Sequence, residues 1–257
     1  MASDAKFIDP LDQDDTFLYF DDFFNYTSTE MFTSLAADGG SSVADSDAHG
    51  GQLVLTSGGT NNNECAVATT QAIYLPVANK PGKCKIRLKF TDAASLAANV
   101  ALGFSNIFTA DFITDDGAAL AADFSGAVFF RKDQDAKWSV GSSNGTTQTK
   151  TTTNLTPGGG VYHTFEVEIL PAIAVAASAD VIFRYDGQQV RDANGDTIKH
   201  YLTLASLLAM KVGVYVKAGT AASQVAYVDY ICWACKRAPA RGGSRMAFPR
   251  ASTGAQR

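Results

Sequence analysis

The residues best suited to chemistry stand at the end of the last apolar stretch, "YVDYICWACKR" at 227–237. Cys232-x-x-Cys235 has the spacing of half a zinc site or of a redox pair. A tetrahedral zinc site takes four ligands, usually from a second C-x-x-C or a His pair. The remaining cysteines, Cys65 and Cys84, lie 19 positions apart on different expected strands. A redox pair is activated at a helix N-terminus, whereas this one closes a run of β-forming residues. Strict alternation places Tyr227, Asp229, Ile231, Trp233 and Cys235 on one face, and Val228, Tyr230, Cys232 and Ala234 on the other. In a strand, a spacing of three sends the two thiols to opposite sides. The expectation is four structural thiols and no metal.

Glu166 and Glu168 share the polar side of "YHTFEVEIL" (162–170), where two acids read as a solvated face. "DANGD" (192–196) and "TSGGTNNNE" (56–64) offer oxygen ligands of the kind Ca²⁺ takes. Both are too short for a twelve-residue loop, and they read as polar turns. The three histidines are isolated; His163 joins Phe165, Val167 and Ile169 on an apolar face and reads as a satisfied, half-buried imidazole. No phosphate-cradling G-x-x-x-x-G-K-[ST] occurs. The sequence thus predicts no enzyme site and no cofactor.

The elements that carry these residues are mostly short strands. "QLVLTS" (52–57), "CKIRLKF" (84–90), "VALGF" (100–104), "GAVFFRK" (126–132), "KWSVGS" (137–142), "KVGVYVKA" (211–218) and "QVAYVDYICWA" (224–234) show β-type patterning. In "DVIFRYDGQQV" (180–190), Asp186-Gly187 marks a tight hairpin, since Gly accepts φ > 0 without steric cost. "SLAANVAL" (95–102) and "TLASLLAM" (203–210) read as short helical turns, and "NGTTQTKTTTNLTPGGG" (144–160) as surface strand and loop. About ten strands separated by turn residues predict an all-β sandwich. The expected layout is an acidic arm at 1–16, one domain at 17–235 and a basic arm at 236–257.

Composition bounds the class. With 46 % hydrophobic residues and 16 Phe, the 257-residue chain has material for a sizeable core. No apolar run approaches the roughly 20 residues that cross a bilayer, and "MASDAKFIDPLDQDD" lacks the apolar region of a secretory signal. The sequence reads as a soluble protein made in a cytoplasm, with no membrane partner. A net charge of −5 argues against nucleic acid. That charge is concentrated at the ends. Residues 1–22 hold seven Asp and one Lys, which is −6; residues 236–257 hold five Arg, one Lys and no acid, which is +6. Opposed end charges suggest docking arms.

The succession "GGQLVLTSGG", "YHTFEVEIL", "VIFRYDGQQV" and "VGVYVKAGTAASQVAYVDYI" resembles the concanavalin A-like, laminin-G-like jelly roll over roughly residues 50–235. That group includes lectins, β-glucan hydrolases and virion proteins of tailed bacteriophages. The hydrolases carry E-x-D-x-x-E on one strand; here the middle acid is Glu168, and Pro171 stands where the last carboxylate belongs. With charged arms and no signal peptide, the chain most resembles capsid decoration (cement) proteins. The resemblance implies a virion protein on the capsid surface that binds the major capsid protein, as a homotrimer, and stabilises adjacent capsomers. The arm residues expected to bind the partner are Phe7, Asp9, Asp12, Asp14 and Asp15, with Arg237, Arg241, Arg245, Met246, Phe248 and Arg250. The alternatives are a carbohydrate-binding, lectin-like module, including one that adheres to host polysaccharide, and a tail or fibre component. For the lectin reading, Trp138, Tyr185 and Tyr201 are the expected sugar-stacking aromatics.

Overall fold

A computed structural model describes residues 16–24, 26, 30–36, 38, 41–45, 51–90, 97–115, 119–157, 160–172 and 178–236. The arm residues from Phe7 to Asp15 and from Arg237 to Arg250 lie outside the described residues.

Alternation of apolar and polar side chains builds two antiparallel sheets. One has nine strands: β1 (Thr16–Asp21), β3 (Ser41–Asp45), β4 (Leu53–Ser57), β6 (Gly82–Phe90), β11 (His163–Pro171), β12 (Ser178–Tyr185), β13 (Gln188–Gln189), β14 (Lys199–Thr203) and β16 (Val225–Lys236). Its order is β13-β12-β11-β6-β16-β4-β3, with β1 paired to β16 and β14 to β12. The other has seven, β2 (Phe32–Ala36), β5 (Glu64–Thr69), β7 (Ala98–Ser105), β8 (Ser125–Arg131), β9 (Ser139–Asn144), β10 (Gln148–Thr152) and β15 (Lys211–Ala218), in the order β10-β9-β8-β7-β15-β5-β2.

The inward residues of both sheets form the main core. Cys84, Ile86 and Leu88 of β6 and Phe165, Val167 and Ile169 of β11 meet Val100, Leu102, Phe129 and Val214 from the opposite sheet. A second core lies on the outer face of the seven-stranded sheet. There Phe108, Phe112, Ile113, Leu120 and Phe124, from the connection between β7 and β8, pack on Ala66, Ala101, Val128, Phe130 and Tyr215.

This second layer explains one departure from the sequence reading. The stretch ending "ANVALGFS" is strand β7 from Ala98 onward, not a helical turn, because both faces of that strand are buried. A strand covered on both sides loses period-two patterning, and an apolar run alone does not separate it from a helix. In "TLASLLAM" only Leu204–Ser206 form a turn of 3-10 helix.

A second departure lies in β16. Its pairing to β6 shifts between Val228 and Tyr230, a β-bulge at Asp229. The extra residue resets the alternation, so Val228 joins Ile231 and Trp233 in the core while Tyr227 lies outside it. Cys232 and Cys235 still point to opposite faces: Cys235 packs against the inter-sheet core, and Cys232 does not belong to it. All four cysteines are free thiols.

Candidate functional site

Each expected stacking aromatic occupies a different environment. Trp138 is 0 % exposed. It sits between Phe90 and Phe165, at 5.7 and 4.8 Å between ring centroids in edge-on packing, and cannot meet a sugar. The reading of Trp138 as a stacking residue is therefore corrected: Lys137 and Ser139 alternate with it, and it is an inward core position. Tyr185 is half-buried, stacked on His163 (4.8 Å between centroids, 25° between ring planes) and edge-on to Phe165. Tyr201 is 65 % exposed.

The Tyr201 environment is built by β14 meeting the β9–β10 hairpin at one edge of the sandwich. On β14, Lys199, Tyr201 and Thr203 face out and His200 and Leu202 face in. The hairpin turn is fixed by Asn144, whose Oδ1 accepts the backbone N–H groups of Thr146 (3.1 Å) and Thr147 (2.8 Å). Gly145, at φ 91°, supplies the left-handed residue that turn requires. His200 then ties the strands together: its Nδ1 lies 3.0 Å from Ser142 Oγ and its Nε2 2.9 Å from Thr151 Oγ1. Burial pushes its pKa down to about 4, so the ring is neutral at pH 7, with one nitrogen donating and the other accepting. Ser142 and His200 are both buried. They form a structural clamp with no carboxylate to orient the imidazole, unlike an activated nucleophile.

Outside this clamp lies a cavity of about 130 Å³, lined by Ser142, Asn144, Thr147, Thr149, Tyr201, Leu202 and Thr203. Every lining side chain is neutral, and most carry a hydroxyl or an amide. Lys199 Nζ lies 5.4 Å from the Tyr201 ring centroid and is ion-paired to Asp180 at 2.8 Å, which steadies the ring from outside the cavity.

Tyr185 opens on a second, larger cavity of about 310 Å³ with Asn154, Gln188, Gln189 and Arg191. His163 is satisfied as the sequence suggested. Its Nδ1 lies 2.7 Å from Asp186 Oδ2, while Asp186 Oδ1 accepts the Thr164 N–H at 2.8 Å. Asp186 (φ 48°) and Gly187 (φ 79°) form the predicted tight turn.

The acid candidates are engaged elsewhere. Glu166, only 5 % exposed, meets Lys83 at 2.8 Å, Arg184 at 2.8 Å and Lys85 at 3.5 Å; Glu168 meets Arg184 at 2.7 Å. Burial alone would raise the Glu166 pKa, but the Lys83 and Arg184 contacts outweigh it and hold the group below its ordinary value. A general acid at neutral pH needs the opposite shift. In "DANGD", Asp192 Oδ1 accepts the N–H groups of Asn194 and Asp196, both at 2.9 Å, which is the polar turn expected. Among the described residues no group of three or more His, Cys, Asp or Glu is placed to hold a metal.

The centre of the seven-stranded sheet's outer face is closed. Lys217, fully buried, donates to Asp111 (2.7 Å), Asp115 (2.6 Å) and the Ile113 carbonyl (3.1 Å), and so fastens the β7–β8 connection over the sheet.

With this geometry established, comparison with solved structures decides the fold class. The carbohydrate recognition domain of Emp46p, in its potassium-bound form, matches with a TM-score of 0.55 at 11 % identity, over 83 % of this chain and 94 % of that one. The chain has the concanavalin A-like jelly-roll fold. An endo-1,3-beta-glucanase from Streptomyces sioyaensis matches at 0.53 and 15 % identity over 86 % and 96 %. An endo-beta-1,4-glucuronan lyase from Trichoderma reesei matches at 0.52 and 11 % over 86 % and 95 %. Identities this low establish architecture alone, and the fold is compatible with lectin and enzyme alike. None of these three is a virion protein. No family model matches the chain, and no curated protein matches it.

The sequence reading found Tyr201 but not the groups around it. Ser142, Asn144 and Thr149 lie some 50 to 60 positions away in polar stretches, and β14 meets their strands through His200, which contacts Ser142 and Thr151.

Proposed function

We propose that this jelly roll is a carbohydrate-binding module that takes a neutral sugar at the Tyr201 edge. One observation carries the reading: a 65 % exposed tyrosine ring borders a cavity whose lining is entirely neutral and rich in hydroxyls and amides. A pyranose presents an apolar C–H face, which suits an aromatic ring, and a rim of hydroxyls, which suits Ser, Thr and Asn. The carbohydrate-recognition and glycan-degrading neighbours support the same substrate class. Binding is favoured over cleavage because the strand acids Glu166 and Glu168 are consumed in ion pairs with Lys83, Lys85 and Arg184.

The test is a neutral-oligosaccharide array probed with the chain and with Tyr201→Ala. Retention by the chain and loss by the variant supports the reading; equal retention by both places any sugar elsewhere.

A second reading is a capsid decoration protein, present in the virion and bound to the major capsid protein as a trimer. It draws support from one feature of the fold. Thr16 pairs with Lys236, so the acidic segment before β1 and the basic segment after β16 join the sandwich at one corner. Arms of opposite charge that begin at paired residues would suit a latch onto a neighbouring copy or shell. Deleting residues 237–257 would then abolish particle binding while leaving the jelly roll folded, and unchanged particle binding would reject this role.

A further inference from the structure

The β9–β10 hairpin has a second face, turned away from Tyr201, and its chemistry is different. Thr149 and Thr151 of β10 face β14, so Lys150 and Thr152 face the outside of the seven-stranded sheet. Strand register sets Phe130, Ser139 and Thr152 in one row across β8, β9 and β10, with Gly141 and Lys150 in an adjacent row. Phe130, Ser139, Lys150 and Thr152, together with Lys132 and Asp135, line a cavity of about 220 Å³. Phe130 is nearly buried and forms part of its floor. The hydroxyls of Ser139 and Thr152 lie 3.5 Å apart in its wall. Asp135 donates its N–H to the Lys132 carbonyl at 3.2 Å, a turn that brings both residues to the rim.

We propose that this cavity is an anion site, taking the carboxylate or sulfate ester of an acidic saccharide between Lys132 and Lys150. Lys132 and Lys150 line the same space, and the Lys150 pKa is lowered by burial and then by the Lys132 charge. Elsewhere on the strands Lys83, Lys85, Lys199 and Lys217 each lie within 4 Å of a carboxylate. Among the described residues neither Lys132 nor Lys150 does so, and Asp135 alone leaves the cavity with a net positive charge. Like charges held at one cavity repel, and an anion between them more than offsets that repulsion by attracting both. The Ser139 and Thr152 hydroxyls complete a hydrogen-bonding wall, and Asp135 can accept a sugar hydroxyl opposite the charged group. This site is independent of the Tyr201 edge, since the two cavities lie on opposite faces of β10.

The experiment is calorimetric titration of the full chain with three tetrasaccharides: a neutral glucan, the same glucan bearing sulfate esters, and a glucuronate oligomer. At low salt, at least one acidic oligomer should bind about tenfold more tightly than the neutral one, and which of the two does so identifies the anion. Lys132→Gln and Lys150→Gln should each remove most of that preference, and Lys150→Arg should retain it. The preference should fade at 0.5 M salt, as screening shortens the reach of charge. Tyr201→Ala should weaken binding of the neutral oligomer and leave binding of the preferred acidic oligomer sensitive to Lys132→Gln and to salt. Equal binding of all three oligomers overturns the proposal. So does a preference that survives in the Lys132→Gln/Lys150→Gln double variant, or binding of the acidic oligomer that is lost in Tyr201→Ala.

Discussion

His200 shows how one side chain ties the candidate site to stability. Its pKa is about 4 in the folded chain, against about 6.5 when unfolded. Between these values the unfolded chain binds a proton that the buried ring refuses. Its stabilising contribution is therefore complete above pH 6.5 and is lost as pH falls towards 4. The loss is about 1.4 kcal/mol per pH unit across that window. His200→Gln, which cannot titrate, should show a shallower acid slope in urea midpoints measured from pH 7 to 4.5; an unchanged slope would show that other groups carry it. At this scale the sequence was partly legible. Trp138 stands in a β-patterned segment, whereas Tyr201 falls between the strands the sequence suggests, and only Tyr201 is exposed. Trp138 alternates with polar Lys137 and Ser139, and the inward-facing sense of that alternation depends on the Phe90 and Phe165 rings it packs against.

Among the elements, the β7–β8 connection does most to define which surfaces are open. It holds a second apolar core against the seven-stranded sheet and is fastened by Lys217 between Asp111 and Asp115. Lys217→Met would leave Glu64, itself buried, beside Asp111 and Asp115 without their cation. The Asp111 and Asp115 side chains are 63 % exposed, so water screens their loss of the cation, and the cost falls mainly on the buried Glu64. Amide exchange over Ile107–Ile113 and Leu120–Phe124 should accelerate, and adding Glu64→Gln should recover part of the loss. Unaltered exchange there would show that apolar packing alone holds the connection. This element was hidden in the sequence, because its phenylalanines carry no regular period and their target is the far side of another strand. By contrast, β6 was read correctly from Cys84, Ile86, Leu88 and Phe90 alternating with basic residues, since one face is buried and the other meets solvent. The bulge at Asp229 was not readable, for a single inserted residue leaves the composition of the strand unchanged.

For the whole molecule, the strand succession was enough to suggest the jelly roll, and the two-sheet topology agrees with it. Function was less legible, because a binding surface assembled from β14, β9 and β10 has no contiguous motif. The three histidines and four cysteines, which first suggest chemistry, do structural work where the structure describes them: His200 clamps two strands, His163 braces a turn, and the thiols are free. Thr16 pairs with Lys236, and removal of residues 237–257 should leave the thermal melting of the jelly roll within a few degrees of the full chain. A large loss of stability would show that the tail belongs to the core. The central claim, that a neutral sugar binds at the Tyr201 edge, is tested most directly by titrating the best array oligosaccharide into the chain and into Tyr201→Ala and Tyr201→Phe. The account predicts at least a tenfold weaker Kd for Tyr201→Ala, about 1.4 kcal/mol, with most affinity kept by Tyr201→Phe, which retains the ring. Equal affinity in all three proteins would contradict it.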